Sequence, residues 1–313
     1  MQTIFYMLST LLPIFLAIGI GAACRRLQVI GPDVIAGLRS LISTFLIPVV
    51  IFKAFYQIQI DRSVVQIVAV VFVVVAAGML LGYPLRRFFG SCGYAVPFLT
   101  TTYEGGMLGY ALFAMIVGQE HLQYYACTDL SLTLFLFTIY MMLVMVHNSG
   151  SFSVKQCWDF LKGSPSFWAI VLGLAVGISG FGRLAVASPA GPVLENTLEF
   201  LTSPVGPMVL VIIGYDFELN PKVMLLALKM LLCRYGLQAV LAAFAFGVLH
   251  ALDALNTFST AALALQFLMP PSFMVSIMLD MDGDTKSFAS NFLSISTMTG
   301  ILLFLVVKTL LLT

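Results

Sequence analysis

Apolar runs of about 20 residues recur along the chain between short polar breaks, each long enough to cross a hydrocarbon core of roughly 30 Å. Ten can be marked: 3–23, 33–55, 64–87, 92–118, 122–146, 165–187, 194–215, 223–249, 255–279 and 286–311. Such a pattern leaves little but an all-α polytopic membrane protein, and the composition agrees. Sixty per cent of residues are hydrophobic and 9% charged, against about 45–50% and 25% in soluble domains. The first run has no charged leader and no small-residue cleavage site, so it reads as a retained helix rather than a signal peptide. The longest hydrophilic stretch, His147 to Ser164, is a linker without room for a folded module, and any chemistry belongs within the membrane.

Basic residues set the expected orientation. Loops after the odd-numbered runs carry Arg25, Arg26, Arg39, Arg86, Arg87, Lys155, Lys162, Lys222 and Lys286, whereas the even-numbered ones offer Arg62 and Arg183. The positive-inside rule then makes the odd loops cytoplasmic. Both termini face outward, with Lys308 near the outer end of the last run, in a multi-pass protein of the cell (inner) membrane.

The two halves also repeat. Tyr56-Gln57-Ile58-Gln59-Ile60-Asp61 matches Tyr215-Asp216-Phe217-Glu218-Leu219-Asn220, and Pro48 meets Pro207 at the same spacing of 159. Ala17-Ile18-Gly19-Ile20 matches Ala175-Val176-Gly177-Ile178 at 158, bringing Arg25 onto Arg183. The unit is five segments, 1–146 and 165–313 on either side of a 147–164 linker. An odd number of spans inverts the second copy, which is the plan of many secondary carriers.

Within each half the fourth segment is interrupted. Thr101 to Phe113 places Glu104, Gly105, Gly106 and Gly109 inside a hydrophobic span, and Leu265 to Leu279 contains Met269-Pro270-Pro271-Ser272. Glycine weakens a helix and proline removes its donors. Backbone left open at membrane depth is tolerated only where protein or a cavity receives it. At 1.5 Å per residue, Gly105 and Pro270 fall about 20 and 23 Å into their segments, near the midplane. Paired interruptions of this kind point to a transporter's binding site.

Glu104 has three readings: a proton-coupling carboxylate, a selector of cationic substrate, or an acceptor for freed backbone donors. Pro270, Pro271 and Ser272 either expose backbone groups and a hydroxyl to a ligand or only kink the helix. Asp129 with Thr128 lines the cavity or is wetted near the outer end. Arg234 offers counter-charge to an anion; Lys229 does the same or snorkels to the interface. Asn291, Ser294, Ser296 and Thr297 supply polar contacts or pack between helices. The five cysteines have no Cys-x-x-Cys spacing, so neither a metal centre nor a disulfide framework is expected. No phosphate loop, His cluster or nucleophile–base pair suggests a pump or an enzyme. No cofactor is expected, and a net charge of +1 gives no reason to expect nucleic acid.

The sequence resembles the auxin efflux carrier family, which includes bacterial malonate-type permeases and plant PIN carriers. The likeness runs through all ten segments and is most specific in Met269-Pro270-Pro271-Ser272, Asp284, Ala289-Ser290 and Leu293-Ser294-Ile295-Ser296-Thr297, with Leu46-Ile47-Pro48 in the second segment. It implies a scaffold of segments one, two, six and seven, which also offers a homodimer surface, and a transport bundle of three to five and eight to ten moving as an elevator. The fourth segment departs from the pattern: relative to Gly109, the family's asparagine and proline are Glu104 and Ala111 here. The reading is a secondary transporter of a small organic anion, a mono- or dicarboxylate, with possible proton coupling. The alternatives are a sodium-coupled symporter of the bile-acid type and a non-transporting membrane sensor or scaffold with a carrier fold.

Overall fold

A computed structural model describes residues 2–217 and 219–312, with the side chains of 2–11, 277 and 308–312 left aside. Glu218, one position of the repeat match, lies outside the described residues, as does the Lys308 side chain. Every regular element among the described residues is helical. Among the described residues six helices are long and apolar enough to cross a membrane: Pro32–Phe55, Arg62–Phe88, Gln119–Ser149, Gly191–Asp216, Pro221–Ala251 and Gly283–Val307. A seventh is added if Val154–Lys162 and Pro165–Ile178, bent by 74° at their junction, are taken as one span. The chain is a multi-pass membrane protein.

The difference between ten apolar runs and six or seven long helices has local causes. Runs 92–118 and 255–279 are each broken into short pieces. Run 165–187 divides into Pro165–Ile178 and Phe181–Ala187 at Gly180, whose φ of +75° only glycine adopts cheaply. The first run forms the helix Gln2–Arg26. The linker contains a helix of its own, Val154–Lys162, in which Val154, Trp158 and Leu161 recur at helical spacing.

Packing groups the chain into two units, each drawing on both halves of the sequence. The first comprises Met1–Asp61, Gly106–Ala126 and Asp159–Phe217; the second comprises Arg62–Gly105, Cys127–Trp158 and Glu218–Thr313. Sequence halves and packed units are therefore different divisions of one chain. The first unit is held by close backbone approach, as expected where lipid removes the usual hydrophobic drive and small residues let helices meet. A Cβ at Gly214 would lie 1.9 Å from the Ile18 carbonyl oxygen, and one at Gly21 would lie 2.0 Å from that of Val211. In the second unit, a Cβ at Gly300 would lie 2.3 Å from the Leu268 carbonyl oxygen.

Candidate functional site

The first interruption begins three residues before the glycines. Helix Val96–Thr101 ends with Thr102 in an extended conformation (φ −81°, ψ 157°), and Gly105–Gly109 is wound as a π-helical turn leading into Tyr110–Ile116. The opened residues are thus Thr102, Tyr103 and Glu104, not Gly105, Gly106 and Gly109. The threonines explain this in part. Thr100 Oγ1 donates to the Val96 carbonyl (3.0 Å), Thr101 Oγ1 to Pro97 (2.7 Å) and Thr102 Oγ1 to Phe98 (3.1 Å). Back-bonding of this kind bends a helix. In the second interruption, helix Thr257–Leu268 ends at Met269 (ψ 146°), the extended conformation that a following proline imposes. The chain resumes as Met274–Met278.

The two interruptions touch, and the contacts lie within the second packed unit. The Glu104 N–H donates to the Pro270 carbonyl (2.8 Å), and the Ser272 N–H donates to Thr102 Oγ1 (3.2 Å). The Glu104 carboxylate accepts from the Phe273 N–H (2.8 Å) and from Ser272 Oγ (3.2 Å). Glu104 is 6% exposed, so these bonds form where water offers little competition.

Arg234 completes the arrangement from the Pro221–Ala251 helix. Its guanidinium is fully buried and donates to the carbonyls of Leu99 (2.5 Å), Thr102 (2.7 Å) and Met269 (3.0 Å). These are carbonyls that the two half-helices leave open at their C-terminal ends, where the backbone dipole favours a cation. The guanidinium carbon also stands 5.2 Å from the centre of the Tyr103 ring, a cation–π distance. One cation thus closes both half-helices, while one anion caps the start of the segment that resumes after the prolines.

Three further residues join this cluster that sequence reasoning did not single out. Tyr103 Oη donates to Gln238 Oε1 (2.6 Å), and Gln238 Nε2 donates to the Thr100 carbonyl (2.7 Å). Tyr235 Oη bonds to the carbonyls of Leu268 (3.1 Å) and Ser296 (3.2 Å). The available signal was the Arg234, Tyr235, Gln238 grouping, whose i, i+4 members lie on one face in the middle of a mostly apolar helix.

The other candidates are placed elsewhere. Asn291 exchanges two bonds with the Asn220 backbone (2.8 and 2.7 Å), and Asn220 caps the Pro221–Ala251 helix through the Lys222 N–H. Asn291 therefore secures a helix start. Lys229 donates to the Phe88 carbonyl (2.8 Å) and lies over the Phe89 ring. Ser296 and Thr297 bond back to the Leu293 carbonyl on their own helix. Ser294 is half-buried on that helix. Asp129 and Thr128 are buried on Leu122–Phe135. Gly106 and Gly109 belong to the first packed unit. A Cβ at Gly106 would meet nothing within 4 Å, but one at Gly109 would lie 1.9 Å from Tyr125 Oη. Among the described residues no cysteine forms a disulfide.

Neither the protein-family models nor the curated proteins contain a match to this chain.

Proposed function

We propose that the protein is a secondary carrier for a small organic anion, a mono- or dicarboxylate, built as two inverted five-span halves in the manner of the auxin efflux carriers. The observation that carries this reading is the pair of interrupted segments, one from each half, joined through Glu104, Ser272 and Phe273. The grouping of the chain into units that mix both halves supports alternating access of the elevator kind.

Glu104 gives the proposal a chemistry. While ionised, it occupies the Phe273 N–H and the Ser272 hydroxyl itself. Once protonated, it is a weaker acceptor, so those donors become available to a substrate carboxylate, and the negative charge that would repel an anion is gone. Proton and anion then bind together. Arg234 is committed to three carbonyls, which makes it the fixed part of the device and not the substrate's counter-ion.

Uptake of labelled mono- and dicarboxylates into reconstituted vesicles, with imposed proton or sodium gradients, tests the reading. Proton-driven uptake by the native protein is expected. In Glu104→Gln, anion binding should persist with a much flatter pH dependence. Sodium-driven uptake favours the bile-acid-type alternative. Absence of uptake under either gradient sinks the carrier reading and leaves the membrane scaffold, which is favoured by the use of Glu104 and Arg234 on groups of the chain itself.

A further inference from the structure

The linker helix Val154–Lys162 takes no part in the Glu104 cluster, and it is a defined element with its own start and stop. Ser153 begins it, its Oγ accepting the Gln156 N–H (3.4 Å), and Gly163 and Ser164 end it before Pro165. Val154, Trp158 and Leu161 fall at i, i+4 and i+7, and Lys155, Asp159 and Lys162 repeat that pattern one residue on. An apolar stripe and a charged stripe therefore run side by side for about two and a half turns.

Protein covers one flank of the apolar stripe. Cys157, on the side away from the charges, has its sulfur 3.6 Å from that of Met145, and Leu161 is half-buried. On the side towards the lysines, Val154 is 70% and Trp158 47% exposed, with Lys155, Asp159 and Lys162 exposed beside them.

The surroundings of the helix indicate what this strip meets. It turns by 74° into Pro165–Ile178, which carries no charge. Three charges in nine residues keep Val154–Lys162 out of hydrocarbon. The uncharged helix thus enters the membrane, and the charged one, steeply bent from it, lies along the surface. Both of the chain's tryptophans flank this bend. Trp168, on the entering helix, is 42% exposed and donates its indole N–H to the Lys162 carbonyl (3.0 Å). Tryptophan gathers where hydrocarbon meets water, and a strip of apolar side chains edged by lysines suits a layer of lipid headgroups.

We propose that Val154–Lys162 lies in the membrane interface and selects anionic phospholipid. Val154 and Trp158 enter about 5–10 Å into the boundary of headgroups and acyl chains, while Lys155 and Lys162 attract the negatively charged headgroups. Asp159, on the same charged stripe, opposes the two lysines and limits that attraction. The site stands whether or not the protein transports, since it shares no residue with the Glu104 cluster.

Fluorescence of the full chain in lipid nanodiscs tests this, with Trp168→Phe leaving Trp158 as the one tryptophan. The lipid is phosphatidylcholine with a minority of phosphatidylglycerol. Bromine, which quenches indole on contact, is placed near the headgroup end of the acyl chains of one lipid or the other. Trp158 should be quenched by both, and by brominated phosphatidylglycerol at least about fivefold beyond its share of the mixture, the worth of one lysine at an anionic surface. Lys155→Gln combined with Lys162→Gln should remove that excess, and Asp159→Asn should raise it about two- to fivefold. If the lysine pair does not fold, the gain in Asp159→Asn remains a sufficient test. If Trp168→Phe does not fold, the difference between the native protein and Trp158→Phe reports the same tryptophan. A Trp158 that neither brominated lipid quenches is covered by protein or water, which overturns the proposal. Quenching of the native strip in simple proportion to the lipid mixture, or an excess that Asp159→Asn leaves unchanged, overturns it as well.

Discussion

The two interrupted segments are broken by opposite means. After Leu268 the break is covalent: Pro270 and Pro271 cannot donate, and Met269 is driven into an extended conformation whatever surrounds it. After Thr101 nothing in the chain forbids helix. Thr102, Tyr103 and Glu104 all have backbone donors, and the opening is kept by partners: threonine hydroxyls, Arg234, the Pro270 carbonyl and Gln238. One break is therefore autonomous and the other conditional. A conditional break can have two states, which is what a moving part requires.

The largest expected effect comes from removing the partner shared by both breaks. Arg234→Met keeps the length of the stem but leaves three buried carbonyls without a donor, and should cost about 3–5 kcal/mol. Hydrogen exchange sharpens the comparison. Amides around Thr102 to Gly105 should lose more protection than those around Ser272 to Met274, because only the first break depends on its partners. A variant melting at the native temperature, or with equal change at both breaks, would remove the distinction.

Next comes the restart of the first segment. Gly109→Ala drives a Cβ to 1.9 Å from Tyr125 Oη and should destabilise by about 1–3 kcal/mol through overpacking. Gly106→Ala meets open space and should be neutral, or stabilising by up to about 1 kcal/mol, since alanine suits a helical turn better than glycine. Thermal unfolding of the two proteins side by side checks the contrast. Equal effects would mean that the turn, and not the Tyr125 contact, governs the restart.

The link between the breaks is smaller again. Glu104→Gln keeps the shape and one acceptor but loses the charge, at a cost of about 1–2 kcal/mol. Ser272→Ala should cost about 0.5–1.5 kcal/mol. The double variant should fall short of their sum by about 0.5 kcal/mol or more, as for any pair in direct contact. Strict additivity would show that the Ser272 to Glu104 bond carries no coupling between the breaks.

These contrasts also explain what sequence could and could not disclose. Helical content was legible because apolar runs of membrane length permit little else. Glu104, Arg234 and Pro270 to Ser272 were legible because charges and paired prolines are out of place in such runs. Tyr103 and Gln238 were not. Each is neutral and amphipathic, and its significance comes from a partner 135 residues away in the chain. The position of the first break was missed by three residues for the same reason: glycine content marks weak helix, but threonine back-bonding and Arg234 decide where it opens. Asn291 has the depth and polarity of a site residue, yet it serves the start of a neighbouring helix. The grouping into two units was invisible to a reading by chain order, because packing cuts across both halves.

The smallest effect compares Glu104 with an acid doing similar work in water. Asp282 follows the second break and heads the last helix: its carboxylate accepts the Thr285 N–H at 2.7 Å, and its carbonyl accepts the Lys286 N–H. The Thr285 backbone bond holds its carboxyl below the ordinary value of 3.8. A carboxylate whose folded pKa is depressed stabilises the fold above its unfolded pKa, and that contribution is lost as pH falls through the folded value. Exchange of the Thr285 amide should therefore be slow at pH 5 and, relative to intrinsic exchange, lose protection only as pH falls through a value below the ordinary 3.8. In Asp282→Ala the loss should already be present at pH 5. Glu104 should behave differently, because its donors are buried with it and opening them requires moving protein rather than admitting water. If the Thr285 and Phe273 amides lost protection together in a single acid transition, the exposed cap and the buried one would be parts of one cooperative unit, and the conditional character assigned to the first break would extend to the start of the last helix.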